Sequence, residues 1–169
     1  MSPAIREALP DPPVDADEKT MLSAYLDWYR DAVLRKLEGL DTQAATRRLV
    51  PSSTTILGIV KHLAYVERGW FQGSFLGEPV QRLRTSDDPD AEFRVESGDT
   101  VQDVADLYRR EIERNREILA EAQLDDHARR PDRRDFSLRW IVVHMIEETA
   151  RHAGHLDILR EQTDGATGK

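Results

Sequence analysis

A chain of 169 residues favours a single domain and is long enough to bury a sizeable core. It contains no cysteine, which excludes disulfides, thiolate zinc sites, iron–sulfur clusters and a cysteine nucleophile, so any metal must bind through nitrogen and oxygen. A formal net charge of −8 argues against DNA and anionic membrane surfaces as partners, since both need clustered Lys and Arg.

The opening MSPAIREALPDPP lacks a basic run followed by an apolar one, and no apolar stretch approaches the length of a membrane span. A cytoplasmic protein with no nucleic-acid and no membrane partner is therefore expected. Residues 1–16, rich in Pro and Asp, predict an extended arm. Asp17 is placed to cap a helix over 17–38, in which Met21, Leu22, Tyr25, Leu26, Tyr29, Val33 and Leu37 follow helical spacing. Gly39 closes it.

A second helix is expected over 54–76 after Ser52-Ser53 as caps, with Ile56, Ile59, Val60, Leu63, Val66 and Trp70 as its apolar stripe. Residues 77–99 show no periodicity and are rich in Asp, Pro, Gly and Arg. They predict one long surface loop covering an end of the bundle, and a loop beyond about 15 residues is often functional. Thr100 with Asp103 resembles a capping box before a third helix over 100–123, whose RREIERNRE face reads as solvated. Ser137 caps a fourth helix over 138–162. No strand-like alternation intervenes. The fold class is all-α, a four-helix bundle, with one metal-binding domain over 17–163 and a flexible tail over 164–169.

Three of the five histidines fall in the fourth helix. At about 100° per residue, His144, Glu148, His152 and His155 share an arc of roughly 80°. Glu148 and His152, four apart, sit one turn apart on the same face and can grip one ion together. His62, at the flank of the second helix's stripe, can complete an N2O set that leaves positions for water or substrate. Two plainer readings compete. Each histidine alone suits a packed, hydrogen-bonded residue, and Glu148 beside a histidine suits an ion pair without metal. His144, Arg151 and His155 are candidates for residues that orient the ligands or a bound molecule. Arg151 equally suits a surface ion pair. Asp157 points to the opposite face and reads as structural, and His127 as a surface loop residue. Tyr65, Trp70 and Trp140 are candidates to wall a pocket, with core packing as the alternative. Gly154 is read as permitting close helix approach.

The stretch LRWIVVHMIEETARHAGHLDILREQTDG, residues 138–165, resembles the DinB-like superfamily of bacterial helical bundles. Its nearest branch includes mycothiol-dependent maleylpyruvate isomerase and the bacillithiol and mycothiol transferases. TTILGIVKHLAYVERGWF is similar to that branch's second-helix signature. The resemblance implies the superfamily's four-helix bundle and a metal set of His62, Glu148 and His152. Many members have His where Glu148 stands, whereas the isomerase branch has Glu there. It further implies a divalent metal ion, zinc first and nickel as the alternative, with mycothiol as a thiol cosubstrate. The implied partners are a small-molecule substrate and a low-molecular-weight thiol, with a homodimer allowed. The isomerase carries a further C-terminal domain for which 169 residues leave no room, so its own isomerisation is not expected to transfer. The function expected is a metal-dependent, thiol-using S-transferase or isomerase-like enzyme. The rival readings are a metal-dependent hydrolase, in which the ion activates water, and a non-catalytic bundle that binds a small ligand.

Overall fold

The computed structural model describes residues 9–167, so residues 1–8 of the expected N-terminal arm and the last two of the expected tail lie outside it. Four long helices build the molecule: α1, Glu18–Arg35; α3, Ile56–Glu67; α4, Val101–Glu121; and α5, Leu138–Asp164. A four-residue helix, α2, Thr42–Ala45, links the first two. Among the described residues there is no strand, only one antiparallel bridge between His127 and Ser137. The expected all-α four-helix bundle is thus the observed architecture.

Helix starts follow side-chain caps, each of which satisfies a backbone N–H that has no partner inside the helix. Asp17 accepts from the N–H of Thr20 at 3.0 Å, Thr100 from Asp103 at 3.1 Å and Ser137 from Trp140 at 3.2 Å. The second long helix begins later than the sequence predicts. Its cap is Thr55, which accepts from Gly58 at 3.0 Å, while Ser52 and Ser53 lie in the preceding bend. At the other ends, α1 stops at Arg35, so Gly39 closes the following turn and not the helix, and Gly165 with φ 75° ends α5.

The α-helical part of the second segment also ends early, at Glu67. Residues Arg68–Leu76 continue it as a π-helix, a wider winding that is uncommon and concentrates at functional sites. This turn keeps Phe71 and Phe75 buried while Arg68 and Gln72 reach across to α4. Gly73 lets the chain fold back over it, because a Cβ there would stand 2.7 Å from the Val80 side chain.

The apolar interior is two clusters. One holds Val33, Leu57, Ile59, Val60, Leu63, Tyr108 and Leu156; the other holds Leu26, Phe71, Phe75, Ile118, Leu138, Ile141 and Met145. A polar layer falls between them in every long helix. Arg30 follows Leu26 by one turn, Glu67 follows Leu63, Asn115 precedes Ile118, and Thr149 follows Met145. Arg30 and Glu67 are paired through two hydrogen bonds of 2.7 and 2.6 Å, with Glu67 wholly buried. Asn115 donates to Glu67 at 2.8 Å. Gln72 donates to Glu111 at 2.8 Å, and Arg68 donates to the same carboxylate. The expectation of a solvated RREIERNRE face is therefore corrected: Glu111 and Asn115 are buried because the π-turn and Glu67 of α3 supply them with partners.

Candidate metal centre

α3 and α5 each bring one face to a shared edge of the bundle, and there His62, Glu148 and His152 converge. One ligand atom from each lies within 4.8 Å of the other two. The geometry centres on a single oxygen. Glu148 Oε1 is 3.2 Å from His62 Nε2 and 3.3 Å from His152 Nε2. The four-residue spacing on α5 sets the Glu148–His152 pair, as the helical repeat dictates. His62 reaches them from α3, deeper than its expected flank position, at only 5% exposure.

The other side of His62 is held by a residue the sequence did not single out. Glu92, buried, accepts from His62 Nδ1 at 3.1 Å. That bond fixes the ring's orientation and leaves Nε2 directed at Glu148, the arrangement in which carboxylates support histidine ligands. Phe93 lies flat on His62, ring centroids 4.0 Å apart and 17° from parallel. Both come from a short 3-10 turn, Ala91–Phe93, within the long 77–99 segment. That segment is therefore not all surface. The available signal was Phe93, its sole aromatic residue. The turn sits this close because Gly58 faces it on α3: a Cβ at that position would stand 2.4 Å from the Phe93 carbonyl oxygen.

Burial alone would depress the His62 imidazole. Hydrogen bonds to Glu148 and Glu92, and their charges, instead raise it above its ordinary value. Hydrogen bonds from His152 and His62 hold the Glu148 carboxyl far below the usual carboxylate range. Two imidazole nitrogens aimed at one ionised carboxylate form an N2O donor set. It fits a divalent cation of the zinc type with coordination positions left over. Without a cation, His62 can donate to both Glu92 and Glu148 only as a protonated imidazole.

The remaining sequence candidates separate. His155 Nδ1 is 3.4 Å from His152 Nδ1, so it abuts a candidate ligand from the exposed side. His144 does not touch Glu148. It packs between Trp70 and Trp140, both 5.0 Å away, and its nearest carboxylate is Glu147 at 3.8 Å. Arg151 is exposed and paired with Glu147, so its orienting role is not realised and the surface ion pair is what forms. Asp157 pairs with Lys36 on the far side, as a structural residue does. His127 is exposed and donates to the Arg134 carbonyl at 2.8 Å. Gly154 is exposed, and a Cβ there would meet nothing within 4 Å, so the close helix approach expected at it does not occur.

Beside the three candidate ligands opens a cavity of about 470 Å³, lined by His62, Glu148, Tyr65, Trp70 and His144 among others. Tyr65 and Trp70 thus serve as pocket walls. Trp140 stands behind Trp70, ring centroids 5.4 Å apart.

Residues 21–165 match the family described as mycothiol-S-transferase. No curated protein matches the chain. A solved structure titled as a conserved protein from Enterococcus faecalis shares the fold, with a TM-score of 0.64 and 14% identity. The match covers 90% of this chain and 100% of that one.

Proposed function

This chain belongs to the mycothiol-S-transferase family of DinB-like bundles, and we propose that it joins a low-molecular-weight thiol, mycothiol, through its sulfur to a small electrophile at a divalent metal centre formed by His62, Glu148 and His152. The observation that carries this reading is the approach of two Nε2 atoms to one carboxylate oxygen at 3.2 and 3.3 Å, at the mouth of a cavity. The chain has no cysteine, so the reacting sulfur belongs to the cosubstrate.

When bound, the metal supplies a Lewis acid that favours the thiolate form of a coordinated thiol near neutral pH. The protein's own groups supply position. Glu92 locks the tautomer of His62, Phe93 covers the ring face and keeps water from it, and Glu148 brings the negative charge that retains a dication. Three protein donors leave open positions, which suits a reactive centre better than a structural one. Zinc is the first expectation and nickel the second. No helix among the described residues is long and apolar enough to cross a membrane, in keeping with a small-molecule enzyme of the cytoplasm.

Elemental analysis of protein purified without chelator or nickel resin tests the centre, with about one zinc or nickel per chain expected. Turnover of an electrophile with and without mycothiol tests the reaction. Metal-dependent turnover that proceeds equally without thiol would move the assignment to metal-assisted hydrolysis.

A further inference from the structure

The cavity beside the metal centre carries a charge that the centre does not explain. Arg82 and Arg84, from the 77–99 segment, and Arg133, from the 3-10 turn Pro131–Arg133, all line it. None of the three forms an ion pair among the described residues, whereas Arg68, Arg94, Arg130 and Arg139 each do. Arg82 only donates to the Gly69 carbonyl at 3.3 Å. Arg133 lies over the rings of Trp70 and Phe136, at 5.2 and 5.3 Å from their centroids. The cavity's two carboxylates, Glu92 and Glu148, are bonded to His62 and His152, and neither forms an ion pair with these arginines. Partial desolvation and the charges of Arg130 and Arg133 outweigh the opposing charges of Glu92 and Asp132 and hold Arg82 below its ordinary value. Guanidinium groups recognise planar anions through paired donors, which sets them apart from the point charge of lysine. Next to them Trp70 and His144 present aromatic surface, 5.0 Å from each other.

We infer that this cavity receives the electrophilic cosubstrate, and that this cosubstrate is an aromatic carboxylate. Arg82, Arg84 and Arg133 hold the carboxylate while the ring lies along Trp70 and His144. For the reaction the inference rests on the S-transferase reading; for the binding it does not. With an aryl halide of this class, the thiolate sulfur bonds to the ring carbon carrying the halogen. The carbon–halogen bond then breaks, halide leaves with its electron pair, and the thiol proton passes to water.

Binding is tested first, in the purified protein without thiol, by quenching of tryptophan fluorescence with 3,5-dinitrobenzoate and with neutral 1,3-dinitrobenzene. The benzoate should bind at least tenfold more tightly. The Arg82→Gln/Arg84→Gln double variant changes two exposed residues and should lose most of that preference, and Arg133→Gln should act in the same direction. Equal affinity for the two probes, or a preference that survives both variants, overturns the inference. Turnover is tested second, with mycothiol and either 4-chloro-3,5-dinitrobenzoate or 1-chloro-2,4-dinitrobenzene. The ratio of kcat/KM values should favour the anionic substrate and fall at least tenfold in the double variant. If neither halide is consumed while the benzoate preference stands, the S-transferase reading fails and the anion site survives. If both are consumed without preference, the anion site alone fails.

Discussion

His62 is held between two carboxylates, and its behaviour in the metal-free protein follows from that. Its folded-state value is raised above the ordinary 6.5. A raised imidazole contributes stability that is fully present below about pH 6.5 and is lost as pH rises through the folded value. Glu148 acts in the opposite sense. Its value is depressed, so its contribution is present above the ordinary 4.5 and is lost as pH falls toward the folded value. The chelated protein should therefore melt at its highest temperature in mildly acidic buffer and at progressively lower temperature above neutrality. Thermal melts across that range check it, and His62→Gln should flatten the alkaline limb. Metal uptake runs the other way, because the Nε2 proton of His62 must leave before that nitrogen can ligate, while the Nδ1 proton stays in the bond to Glu92. Glu92 acts one bond further out. Glu92→Gln should weaken metal affinity by about 10–100-fold, the usual cost of removing a carboxylate behind a ligating histidine. Competition against a chromophoric chelator measures this. His127→Ala, remote from the three ligands, should leave the affinity unchanged.

Among the elements, the 3-10 turn Ala91–Phe93 and the π-helix Arg68–Leu76 decide the shape of the site, and neither was legible in the sequence. The long α-helices were, because caps such as Asp17, Thr100 and Ser137 stand at the head of segments whose apolar residues follow helical spacing. A π-turn leaves no such mark: RGWFQGSFL keeps an apolar period that reads as ordinary helix. The 3-10 turn lies in a segment without any period, and its place is set by a contact with Gly58 on another element. That contact gives a test. Gly58→Ala puts a methyl group where the Phe93 carbonyl now sits, so the turn must move away from α3 and carry Glu92 with it. Metal affinity should fall about as far as in Glu92→Gln, although no ligand is altered. Chelator competition should show the loss, and circular dichroism should show an intact helical bundle. The polar layer offers a second test. Glu67→Ala leaves the buried Arg30 with only the partly exposed Asp27 as a partner and should cost about 3 kcal/mol of stability in urea denaturation. Arg30→Met/Glu67→Leu should cost much less than the sum of the single changes, since neither charge is then stranded.

Across the whole molecule, the bundle resolves into two helix pairs, with α5 packed chiefly on α1 and α3 packed chiefly on α4. The candidate centre takes one ligand from α3 and two from α5, so it ties the pairs together beside the buried polar layer. The α5 half of the centre could be read from sequence because a four-residue spacing fixes two side chains on one face. His62 could be named because it was the one histidine on another long helix, but its depth and its hold by Glu92 depend on tertiary packing that no local pattern encodes. The three cavity arginines escaped for the same reason, since Arg82, Arg84 and Arg133 lie in two non-periodic segments. The cross-tie has a thermodynamic consequence. A cation that binds only the folded bundle should stabilise it by about 2.7 kcal/mol when its free concentration is a hundred times its dissociation constant. The melting temperature of the chelated protein should accordingly rise with added zinc and continue to climb logarithmically after the sites are full. Glu148→Ala and His152→Ala should abolish the rise, because each removes a ligand from the α5 side. Asp157→Ala should leave it intact, because Asp157 serves the Lys36 pair on another face of the same helix. A zinc-dependent rise of equal size in Glu148→Ala and in the unaltered protein would mean that the cation binds elsewhere, and the centre at the α3–α5 edge would have to be abandoned.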